Sequence, residues 1–149
     1  MKTSLAALAL LLLSEAALCG TWSYVGGPYP HAAFIESTTI QDEGQDIKGF
    51  WLAMVTVDKA LPFDTVATYV QADCRQRQIR ALQSVFYLQG KHKGGDAIPT
   101  LWQHTIPDSM GESYLLFVCR KYDPMNYTIP DTPITELWKI AQPLIKNNK

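Results

Sequence analysis

Apolar residues fall along this chain in three different patterns. Residues 5–13 are an unbroken run of Leu and Ala. From about residue 21 to residue 119 the apolar positions come in short runs that alternate or fill both parities. From residue 134 to residue 145 they recur three, four and seven apart. Each pattern predicts a different element.

The first run follows Met1-Lys2 and precedes the small residues Ser14, Ala16, Ala17, Cys19 and Gly20. A positive start, an apolar middle and a small-residue exit make residues 1–19 a secretory signal. A buried N-terminal helix is the other use of such a run. It is too short to span a bilayer, which takes about 20 apolar residues. Cleavage fits after Ala16 or after Cys19. Lipidation of Cys19 is the rival reading, and the only one that would put the protein on a membrane. It is disfavoured by Leu18 and Ala16, where such sites carry a small residue and a Leu. Residues 20–149 then form a single domain, long enough for a real core.

The middle of the chain reads as strands. Residues 20–30 are a turn-rich lead-in with Trp22, Tyr24 and Tyr29 and a short edge strand over 21–25. Residues 31–41 are β-prone, with Ser37 dividing them into two pieces. A polar turn at Gly44 leads to residues 47–57, the strongest strand, and the two form a hairpin. There Phe50, Leu52 and Met54 share one face while Trp51, Ala53 and Val55 share the other. Both faces are apolar, so this strand is expected to be covered on both sides. Further strands are expected over 65–74, 79–88, 98–106 and 112–119, with a helix over 73–82 as a competitor for part of that stretch. Residues 89–96 read as a flexible basic hairpin tip. Their glycines lack the spacing of a phosphate loop.

The last pattern is a helix. Ile134, Leu137, Trp138, Ala141, Leu144 and Ile145 make one apolar stripe over about 132–146. Asp131 or Thr132 caps it, Pro133 suits its first turn, and Pro143 is expected to bend or fray its end. Such a stripe needs a sheet to lie on. The expected fold is therefore α+β: a mostly antiparallel sheet of about six strands with a C-terminal helix on one face.

Charge removes some partners. The formal net charge is −1, and losing Lys2 with Glu15 would not change it. No basic excess suits nucleic acid, and no polybasic block suits an anionic membrane. Of the 3 cysteines, Cys74 and Cys119 remain if Cys19 leaves with the signal. An even pair in an oxidising compartment reads as one disulfide, with two buried free thiols as the alternative.

Candidate chemistry is sparse. His31, His92 and His104 show no metal-ligand spacing, so no metal and no cofactor is expected. Ser109 lies in a turn without the nucleophile-elbow pattern. Asp73 and Glu112 could form an acid/base pair, but ion pairing with Arg75, Arg77 or Arg120 and turn hydrogen bonding suit them better. No catalytic residue is assigned and no enzyme is expected. Asn126-Tyr127-Thr128 is a formal glycosylation sequon.

Several segments taken together resemble the surface-adhesin protein E family of small exported Gram-negative proteins. They are residues 34–40 followed by Gly44, the Trp51-Leu52 strand, Asp73-Cys74-Arg75 with Arg77, and Val85-Phe86-Tyr87. Then come Ile106-Pro107-Asp108-Ser109, Gly111-Glu112 and Val118-Cys119. The resemblance runs from Trp22 to Cys119. Asp108 stands where the family pattern has Gly, and the tail after Cys119 is long. The resemblance implies an antiparallel sheet with a helix held on it, paired Cys74 and Cys119, and a place in the periplasm, outer envelope or cell surface. It also implies a protein partner such as a host matrix component, and it allows a homodimer. A protein-binding reading takes its support from the two-sided apolar strands, because one helix cannot cover both faces of the sheet. The alternative is a periplasmic module that binds a small ligand or inhibits an enzyme, with Trp22, Tyr24 and Trp102 lining a pocket.

Overall fold

The computed structural model describes residues 19–120 and 127–147. The expected export signal, apart from Cys19, lies outside the described residues, as does Asn126 of the sequon. Nine strands form a single sheet: β1 (Cys19–Gly26), β2 (His31–Glu36), β3 (Gln41–Gly44), β4 (Ile47–Thr56), β5 (Thr65–Asp73), β6 (Gln78–Leu88), β7 (Lys91–Asp96), β8 (Gln103–His104) and β9 (Thr128–Pro133). Two helices accompany them, α1 (Met110–Arg120) and α2 (Ile134–Asn147). Strand order is β7-β6-β5-β4-β2-β1-β9, with β3 beside β4 and β8 beside β6. Every pairing is antiparallel.

The expected architecture holds and the strand count rises from six to nine. Residues 31–41 divide as anticipated: β2 ends at Glu36, a 3-10 turn occupies Ser37–Thr39, and β3 follows. Residues 89–96 are not a loose tip. Gln89 and Gly90 both have positive φ, which suits the two-residue turn of a right-twisted hairpin, and β7 pairs back on β6. Residues 98–106 are not a full strand. Only Gln103–His104 form one, beside the start of β6. A further strand, β9, precedes the last helix and pairs with β1.

The main correction is at residues 112–119, expected as a strand and found as α1. Its buried residues are Tyr114, Leu115, Phe117 and Val118, a helical spacing. Runs with both parities apolar fit strand and helix alike. The deciding signal was Ser109 with Glu112 three residues on, a capping-box spacing. Ser109 does cap the helix: its Oγ accepts from Glu112 N at 3.3 Å and its carbonyl accepts from Ser113 N at 3.1 Å. Asp108, where Gly was expected from the resemblance, sits at φ 62, a left-handed conformation that Gly, Asn and Asp tolerate best.

A helix lies on each face. α2 lays Leu137, Ala141 and Ile145, all fully buried, on Trp22, Tyr24, Phe34, Ala53 and Val55. It starts at Ile134 and continues through Pro143 to Asn147, so the proline does not end it. α1 lays Tyr114, Phe117 and Val118 on Val25, Ile35, Phe50, Leu52 and Val70. The expected alternation in β4 is thus realised, Phe50 and Leu52 toward α1 and Ala53 and Val55 toward α2. The expectation that a single helix leaves a face of the sheet uncovered is overturned, because α1 supplies the second cover.

Cys74 and Cys119 are bonded, with Cα atoms 5.6 Å apart. The bond joins the turn after β5 to the last turn of α1. Cys19 is free and exposed at the start of β1.

Candidate functional site

The three aromatics expected to share a pocket are in different places. Trp22 is buried, and its Nε1 donates to the Thr132 carbonyl at 2.9 Å. Tyr24 is packed in the α2-side core with its ring 5.4 Å from that of Phe34. Trp102 lies outside both cores, between Thr100 and β8, with the Arg80 guanidinium 4.4 Å above its ring. Only Trp22 of the three borders the cavity on the α2 face.

The other candidates have structural partners. Asp73 Oδ1 accepts from Arg75 N at 3.0 Å and Gln76 N at 2.7 Å, closing the turn after β5. Glu112 pairs with Arg77 and accepts from Asp108 N at 2.8 Å. The histidines are on separate elements: His31 opens β2, His92 is in β7 and its ring meets Tyr87 edge-on, and His104 is in β8 beside Gln78.

Most conspicuous on the surface is the segment between β7 and α1. Ile98, Leu101 and Ile106 are 75 %, 86 % and 71 % exposed, far beyond the other large apolar side chains in the described residues. An apolar loop of this kind would ordinarily be mobile. Here its backbone is tied to the edge of β6 at three levels. Thr100 N donates to the Ala81 carbonyl at 2.9 Å, and Thr100 Oγ1 accepts from Ala81 N at 3.0 Å. Gln103 and His104 pair with Ile79 and Gln78. Thr105 N donates to the Arg77 carbonyl at 3.0 Å. Trp102 points the other way from its neighbours in exposure, half-buried under Arg80, and Arg80 is itself braced by Gln71 Oε1 at 2.7 Å. The segment therefore closes part of a sheet edge while leaving three large apolar side chains in water.

Sequence reasoning took these residues for an ordinary strand. The signal it passed over is Pro99 and Pro107 around the segment, which suit an edge and not the interior of a sheet. Trp51 and Tyr87, which border the cavity with Trp22, were also missed as site residues.

Nothing among curated proteins or solved structures matches the chain. The family model for surface-adhesin protein E matches residues 22–120, from Trp22 within β1 to the end of α1 and including both bonded cysteines. β9 and α2 follow the matched span. With about two thirds of its length covered by that match, this chain belongs to the surface-adhesin protein E family.

Proposed function

We propose that this protein is an exported envelope or surface adhesin that docks on another protein through Ile98, Leu101 and Ile106. The observation that carries the reading is the exposure of three large apolar side chains on a backbone bonded to the edge of β6. Contiguous exposed apolar surface marks docking sites, and this reading takes the three side chains, all within residues 98–106, as one such surface. A fixed backbone lowers the ordering cost of binding, so little of the contact energy is lost. Trp102 under Arg80 supports the display from behind. Family membership supports a binding role and not a catalytic one. It also supports an address outside the cytoplasm, as do the apolar run at residues 5–13 and the disulfide. No helix in the described residues is long and apolar enough to cross a membrane.

Host matrix proteins are the first partners to test. The wild-type protein and the triple variant Ile98→Ser, Leu101→Ser, Ile106→Ser are passed over immobilised matrix proteins by surface plasmon resonance. The reading expects saturable binding by the wild type and at least about a tenfold loss in the variant. Equal binding by both would remove the strip from the account.

A further inference from the structure

We infer that export cleavage falls between Cys19 and Gly20, and that the α-ammonium so created on Gly20 is the counter-charge of the buried Glu36 carboxylate. The inference rests on the exported reading above and adds to it a processing site that completes the fold.

Glu36 ends β2 and is 4 % exposed. Its carboxylate is well supplied with donors. Oε1 accepts from Thr21 N at 2.9 Å, Thr38 N at 3.2 Å and Thr38 Oγ1 at 2.5 Å, and the Thr39 hydroxyl also donates to the carboxyl. Burial pushes the Glu36 carboxyl up, and these donors together hold it below the ordinary range, so it is charged at neutral pH. An opposite charge is what it lacks. Among the described residues no Lys, Arg or His forms an ion pair with it. A buried carboxylate without one is costly even when hydrogen-bonded. Its Oε2 is shut off from solvent, so a dissolved cation does not reach it. The counter-charge has to come from the chain packed around it.

That chain is β1. Its register sets Trp22 against Glu36, so the residues ahead of Trp22 run past the Glu36 side chain. Gly20 is buried there, and a Cβ on it would fall 2.6 Å from Glu36 Cγ and 3.0 Å from Oε1. The Gly20 nitrogen sits on the same α-carbon. It is therefore within about 5.5 Å of Oε1, a range in which an opposite charge favours the carboxylate.

In an uncleaved chain this nitrogen is a neutral amide. Hydrolysis of the Cys19–Gly20 peptide bond consumes a water. The new carboxylate leaves on Cys19, and the amine stays on Gly20, mostly protonated at neutral pH. Three N–H donors and a full charge then stand beside Glu36. The sequence suits this cut, with the small residues Ala17 and Cys19 third and first before it. A cut after Ala16, or lipidation of Cys19, leaves Gly20 an amide and Glu36 without a counter-charge. Cleavage after Cys19 thus stabilises the fold only once the signal is gone.

Intact mass and N-terminal sequencing of the protein from the native host read the cut. A chain beginning at unmodified Gly20 is expected. A chain beginning at Ala17, or at a lipidated Cys19, would overturn the inference and leave export standing. A chain still beginning at Met1 would overturn both. Urea unfolding reads the ion pair in three forms of the exported chain: one beginning at Gly20, the same chain with its amine acetylated, and one beginning a residue earlier with Cys19→Ser. Acetylation removes the charge. The added serine restores the residue that pairs with Pro133 but carries the ammonium away from Glu36. Both altered forms should show a folding constant at least about tenfold smaller. Glu36→Gln should remove the difference among the three, and the wild-type comparison stands even if that variant fails to fold. Equal stability of the three wild-type forms, or the same loss in a folded Glu36→Gln background, would overturn the pairing.

Discussion

Arg77 and Glu112, 35 residues apart, form an ion pair that fastens the β5–β6 turn to the first turn of α1. Cys74, three residues before Arg77, bonds Cys119, seven residues after Glu112. Seven residues are two helical turns, so both tethers leave α1 from one flank. The same short turn thus holds both ends of the helix that covers one face of the sheet. The two tethers differ in kind. Arg77 is 43 % exposed in its side chain, so water and salt screen the ion pair. A double-mutant cycle of Arg77→Ala and Glu112→Ala, read by urea unfolding, should give a coupling of about 0.5–1 kcal/mol that shrinks at high salt. A coupling near zero at low salt would show that the pair positions nothing.

The covalent tether is expected to be worth more. It closes a separation of 45 residues, and on the chain-entropy account that is about 4 kcal/mol. The variant Cys74→Ser, Cys119→Ser should lose most of this, and reductant should lower the stability of the wild type to that of the variant. Wild-type stability indifferent to reductant would contradict the assignment.

Gly90 is predicted to be intolerant of a side chain. It has φ 77, and a Cβ would press on the Thr135 carbonyl at the start of α2. Gly90→Ala should cost about 1–2 kcal/mol. Gly44, at φ 83 with nothing within 4 Å of the Cβ position, is the control for backbone strain alone. Thermal unfolding should rank Gly90→Ala below Gly44→Ala. The reverse order would mean that the β6–β7 turn does not rest on α2.

Stability should fall in alkali through Tyr114. Burial against the sheet pushes its phenol up to about 12 from an ordinary value of 10.0. The folded state favours the neutral phenol, so this contribution is intact below pH 10 and is lost as pH rises toward 12. Tyr69 moves the same way, to about 12, through burial and its bond to the Glu43 carboxylate. Tyr114→Phe should flatten part of the decline between those values and leave the part due to Tyr69. An identical pH profile in Tyr114→Phe and wild type would place the phenol in water.

The legible parts of the fold were those in which one period dominates. β4 and α2 were readable because Phe50 and Leu52 against Ala53 and Val55, and Leu137, Ala141 and Ile145, each repeat cleanly. The cysteine pair was readable from parity and export. α1 was not, because the six residues from Tyr114 to Cys119 are apolar at both parities, and only the Ser109–Glu112 spacing decides between strand and helix. β7 was hidden by composition: Lys91, His92, Lys93 and two glycines suit an exposed edge that discourages further pairing, and such an edge looks like a loop. The sites were the least legible. Trp102 was singled out for a pocket and instead supports the exposed strip. Glu36 was read as part of a β-prone run, because nothing local announces a carboxylate that is buried by residues from β1 and the turn after β2.

The most direct measurement of the central claim is photo-crosslinking in intact cells of the native host exposed to immobilised matrix proteins. A photoreactive residue replaces Leu101 in one strain, and in another it replaces Lys139, which is exposed on α2. The account predicts a crosslinked partner from position 101 and none from position 139. Crosslinking from position 139 with none from position 101 would contradict it.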